Sequence, residues 1–200
     1  MTLFISDPPK ESLAALRDSL NTLAARGSFS DRGLREARPE QISATVPHAV
    51  FNLTLRDAKE GKIDAARQTG WRFLLAVDEQ VVASAETRSE GGHQAFSHVN
   101  AGPFVAGTVD ALAVAERVAD AEERQLELRL LNVPALYLMC IWLQPRPDDG
   151  ARNGFFVPIA PAPAGFEPNR VYEETEFLDA LLSAAGKVPD VGRDDTQGGG

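Results

Sequence analysis

The sequence predicts an α+β protein: one antiparallel sheet of about five strands with helices on its faces, preceded by an N-terminal helical arm. Three observations carry this. Trp71, Phe73, Leu75 and Val77 alternate with other residues, as do Leu126, Leu128 and Leu130, and a period of two is the strand signature. Apolar residues recur at spacings of three and four in 7–26, 108–122 and 172–185, which is the helical period. The 200 residues are 44% hydrophobic and 24% charged, enough for one buried core and too apolar for disorder over the whole length.

The elements follow in order. Asp7 is placed to cap a helix over 7–26, with Pro8 in its first turn and Leu13, Leu16, Leu20 and Leu23 as one apolar stripe. Gly27 is a natural stop. Residues 28–47 are polar and broken, ending at Pro47, and read as a linker or irregular arm. His48 to Leu53 reads as a short strand. Thr54 and Asp57 have capping-box spacing, so a helix of one or two turns is expected before Gly61. Trp71–Val77 and Val81–Thr87 form a hairpin about Asp78-Glu79-Gln80, and Phe96–Val99 is a third short strand.

A helix from about Thr108 to Glu122 presents a small-residue face of Ala111, Leu112, Val114, Ala115, Val118 and Ala119, suited to close packing on a sheet. Gln125–Leu131 has one dry and one wet face. Ala135–Leu143 is apolar throughout and is expected as a central strand, with Trp142 in the core as is Trp71. Phe155–Ile159 is a further strand with Pro158 near its end or on an edge, and Tyr172–Ala185 is the last helix. Residues 188–200 lack apolar periodicity and read as a disordered tail. The resulting division is 1–47 arm, 48–187 core domain, 188–200 tail. No internal repeat is evident.

From residue 71 the order is β-β-α-β-β-β-α, counting the short third strand with the hairpin. It resembles the element order of longin, roadblock and profilin-like domains over 71–185. The resemblance implies an adaptor or binding scaffold. It rests on element order without signature residues, so no functional positions carry over.

The net charge of −9 disfavours phosphate backbones, and no nucleic acid is expected as a partner. The charge sits in the second half: residues 1–100 carry 12 basic against 13 acidic side chains, residues 101–200 carry 8 against 16. The acidic runs about Asp120 and Glu173 read as a solvated face, or as a surface for a basic partner. The single Cys140 precludes an internal disulfide and fits a reducing compartment. The N-terminus lacks a basic n-region, and no apolar stretch reaches the ~18 residues of a membrane span. A cytoplasmic protein without a membrane partner is expected, and 16 arginines against 4 lysines fit a high-GC bacterium.

Gly102-Pro103 to Gly107-Thr108 has the glycine spacing of a phosphate loop. It lacks the lysine that neutralises the phosphates, and Pro103 removes a donor, so a turn with Thr108 as helix cap is expected. His93 and His98 lie near Glu86 and Glu90, but nothing completes a metal set. Cys140 has apolar neighbours that make a thiol inert, and no serine stands in a Gly-x-Ser-x-Gly elbow. Pro158 and Pro161 form a Pro-x-x-Pro better explained as a connection, and Asn52-Leu53-Thr54 is a formal glycosylation triplet without meaning in the cytoplasm.

The first expectation is therefore a non-catalytic interaction or adaptor module, without cofactor or metal. It would bind another protein or itself as a homodimer through Leu13, Leu16, Leu20 and Leu23. The alternative is a small hydrolase or ligand-binding enzyme with its pocket near His98, Asn100 and Gly102.

Overall fold

A computed structural model describes residues 3–29, 31–122, 125–146 and 153–189. Among them are five α-helices and one sheet of eight strands. The helices are α1 (Lys10–Ala25), α2 (Arg32–Glu36), α3 (Leu55–Lys59), α4 (Pro103–Ala121) and α5 (Glu174–Ala185). The strands are β1 (Ile42–Asn52), β2 (Arg67–Val77), β3 (Gln80–Glu90), β4 (His93–Asn100), β5 (Leu126–Val133), β6 (Leu138–Pro145), β7 (Phe155–Pro158) and β8 (Tyr172–Glu173). The class is α+β as expected, but the sheet has eight strands where about five were expected, in the order β4-β3-β2-β1-β5-β6-β7-β8. It is antiparallel except at its centre, where β1 and β5 run parallel over Ala49–Asn52 and Arg129–Asn132.

The order resolves into two units of the same plan, α1-β1-β2-β3-β4 and α4-β5-β6-β7-β8, meeting at that parallel seam. Parallel pairing of the two leading strands puts the units on either side of an axis along the strands. Such an axis exchanges the faces of the sheet. Accordingly α1 lies on one face, called the front, and α4 on the back.

In the second unit both faces are packed. Leu128, Leu130, Ile141, Leu143 and Val157 point back to Ala111, Leu112, Ala115 and Ala119 of α4. Leu131, Cys140, Trp142 and Phe156 point forward to Phe177, Leu181 and Ala185 of α5. This is why β6 reads as an unbroken apolar run: a strand covered on both faces needs both side-chain sets dry. Each such side chain contributes about 1.5–3 kcal/mol relative to an exposed one.

In the first unit α1 covers the front. Leu16 and Leu20 are buried with Ala49, Trp71, Phe73, Ala83 and Ala85, and Leu13 and Leu23 pack against them partly buried. The buried Ser12 donates to Gln94 Oε1 (2.9 Å) and accepts from Thr87 Oγ1 (3.2 Å). The helix is thus part of the fold, and the stripe expected to reach a partner faces the chain's own sheet. The boundary expected at residue 47 falls inside β1, which begins at Ile42.

α4 touches β3 as well as β6 and β7, so it lies across the back of both units. The helix begins at Pro103, five residues before the expected cap. Thr108 is interior, its hydroxyl donating to Phe104 O (2.6 Å). Gly107 is buried in the helix, where a Cβ would stand 2.1 Å from Ala160 O, so its bareness serves close packing and no phosphate loop exists. α1 begins at Lys10 with Pro9 at its N-cap position and no side-chain cap, rather than at Asp7. Thr54 does cap α3, accepting from Asp57 N (3.2 Å). Val188 packs against the front core, and the rest of the expected tail, 190–200, lies outside the described residues. No helix among the described residues is long and apolar enough to cross a membrane.

Candidate functional site

The back face of the first unit carries polar side chains where the second unit carries leucines. Cross-strand register sets them in one row over four adjacent strands: His48 on β1 opposes Arg72 on β2, Arg72 opposes Glu86 on β3, and Glu86 opposes His98 on β4. The next row places Ser84 opposite Leu74 and Asn100. Residues directly opposed in a ladder have Cβ atoms about 4.5–5.5 Å apart, so the row is a chain of interacting neighbours.

β1 is shaped to aim His48 inward. Its register with β2 shifts between Thr45 and His48, and Val46 sits at φ +45°, a left-handed conformation a β-branched residue rarely adopts. His48 Nδ1 lies 2.7 Å from Val46 O. A carbonyl only accepts, so Nδ1 carries the proton and Nε2 presents a lone pair. His48 is fully buried, and Nε2 has no partner among the described residues. Burial and then the Arg72 charge push its pKa down to about 4, so the ring is neutral at physiological pH.

Arg72 is the largest fully buried side chain, 1% exposed. Its Nη2 donates to Ser84 Oγ (3.1 Å), while Nε and Nη1 have no hydrogen-bond partner among the described residues. Glu86 Oε1 lies 3.8 Å from Nε, close enough to balance the charge but too far for a hydrogen bond. Burial draws the guanidinium below its ordinary pKa, and Glu86 opposes that. His98 Nε2 lies 4.0 Å from Glu86 Oε2. Exposure rises along the row, from 1% for the Arg72 side chain to 22% for Glu86 and 43% for His98. The row is closed at β1 and opens at β4.

Of the expected pocket residues, His98 is the open end of this row, Asn100 stands beside it opposite Ser84, and Gly102 is the N-cap residue of α4 at φ +122°. His93 is exposed opposite Glu90, away from His98. No group of three or more His, Cys, Asp or Glu among the described residues is placed to hold a metal. Cys140 is fully buried on the front face, its thiol pushed well above the ordinary value by desolvation. The acidic run at Glu173 opens α5: Glu174 accepts from Gly154 N (3.0 Å) and Glu176 pairs with Arg170.

Sequence reasoning placed Glu86 near His98, as a metal-site neighbour, and missed His48, Arg72 and Ser84 as members of the same row. Comparison of the chain with protein-family models, with curated proteins and with solved structures returned no match.

Proposed function

We propose that this chain is a binding module that takes a polar ligand into the row His48–Arg72–Glu86–His98 on the back of its sheet. The observation that supports this is the buried Arg72 with two unpartnered N–H-bearing nitrogens. A buried guanidinium with unmet donors costs several kcal/mol, and a fold retains such an arrangement where an acceptor arrives to meet it. The outward rise in exposure supports access from β4.

Binding fits the row better than turnover. The groups left to engage a ligand are hydrogen-bond donors and a lone pair, while the thiol is packed on the opposite face against α5. Of the two expectations, the place of the pocket near His98, Asn100 and Gly102, without the hydrolase chemistry attached to it, is thereby favoured over docking through α1, whose leucine stripe is used by the core.

The test is a melting-temperature screen against small polar molecules, run on the wild type and on Arg72→Met, which keeps the volume and removes the donors. Molecules that stabilise the wild type should lose their effect in the variant. Equal stabilisation of both proteins would place binding elsewhere and overturn the reading.

A further inference from the structure

The atoms left over in the row form a pattern of donors beside one acceptor. Arg72 offers donors at Nε and Nη1. His48, its cross-strand neighbour, offers an acceptor at Nε2, because Nδ1–H is engaged by Val46 O. The positive charge of Arg72 is already faced by Glu86 at 3.8 Å. Donors beside one acceptor, in a locally charge-balanced site, do not suit an anion. A carboxylate would accept from Arg72 but would set a bare oxygen against the His48 lone pair and a second negative charge beside Glu86.

We propose that the row recognises a primary carboxamide, its carbonyl oxygen accepting from Arg72 and its NH2 donating to His48 Nε2. The class includes the side-chain end of asparagine or glutamine and small amide metabolites. Glu86 and His98, the partly exposed members, stand at the outer end of the row, the side from which the group would enter. Glu86 is also the specificity residue: its charge rejects the isosteric carboxylate, since discrimination between near-identical groups rests on the repulsive element as much as on the attractive one.

This inference rests on the binding reading above, and one experiment separates the two. Propionamide and propionate, equal in shape and different in charge, are titrated into isotopically labelled protein at constant ionic strength. The side-chain resonances of Arg72 and His48 are followed by NMR. Propionamide should shift both saturably, with propionate binding at least about fivefold more weakly. In Glu86→Gln the preference should shift toward propionate, because the repelling charge is gone. If propionate is preferred by the wild type, the carboxamide assignment falls and the binding row stands. If neither probe moves Arg72 or His48, both fall, and ordered water satisfies these groups. A preference for propionamide that Glu86→Gln leaves unchanged overturns the role of Glu86.

Discussion

The two units share a plan and differ in what covers them. The second has α4 behind it and α5 in front, and β6 is dry on both faces over Leu138–Leu143, while β5 keeps the partly exposed Glu127–Arg129 pair in front. The first has α1 in front, and α4 extends behind it to β3, leaving the polar row buried at β1 and β2 and partly exposed at β3 and β4. On this back face the chain keeps an arginine, a glutamate and two histidines in register. One copy of the plan gives stability, and the other has a face available for chemistry. A helix like α5 after β4 would close that face, but the chain there runs into α4, which crosses to the second unit.

The largest effect should come from the doubly covered unit. Phe156 is fully buried and stacks on Phe177 with ring centroids 4.0 Å apart and on Trp142 at 5.8 Å. Phe156→Ala should lower unfolding stability by about 3–5 kcal/mol, measured by denaturant titration. A loss near 1 kcal/mol would show that α5 does not close the front face, and the contrast between the units would fail.

The contrast also explains what could be read from the sequence. The second unit was legible because burial imposes periodicity: Leu126, Leu128 and Leu130 alternate, and Leu138–Leu143 is solidly apolar. α1, α4 and α5 showed their stripes for the same reason. The beginning of β1 did not, because Ser43, Thr45 and Pro47 resemble a linker and only pairing with β2 makes them a strand. Pro47 is accommodated where the register shifts, a position that needs no regular ladder donor. β8, two residues long, is too short to carry a period. The polar row was hidden for a different reason. His48, Arg72, Glu86 and His98 come from four strands, and their meeting depends on register, which bulges at Val46 and near Phe96 alter. One signal was available: Arg72 interrupts the run from Trp71 to Ala76, and a charge within a strand otherwise buried on both faces asks for a partner.

A second prediction uses acid to separate the units. The pKa of His48 lies near 4 in the folded chain and near 6.5 when unfolded. The unfolded state therefore binds the proton first as pH falls. The stability held by the neutral ring is complete above 6.5 and is lost between 6.5 and 4, amounting to about 3 kcal/mol in all. Denaturant titrations from pH 7 to 5, above the ordinary range of carboxylates, should show a fall in the wild type that is smaller in His48→Gln. An identical pH dependence in the two proteins would mean that the ring is not closed off at β1.

The smallest expected effect is the sharpest test of the gradient along the row. His98 side-chain exposure is 43%, and its nearest charged partner, Glu86 Oε2, is 4.0 Å away. Exposed ion pairs of this kind contribute about 0–1 kcal/mol, so His98→Ala should barely change the denaturation midpoint. Arg72→Ala, in contrast, removes a fully buried side chain, leaves Glu86 without its charge partner and opens a cavity, and should cost several times more. Stability should therefore depend on residue position, steeply at the closed end and weakly at the open end, as expected when the outer residues are kept for contact with something outside the fold. Equal costs at both ends would make the row a purely structural network, and the two units would then differ in composition without differing in use.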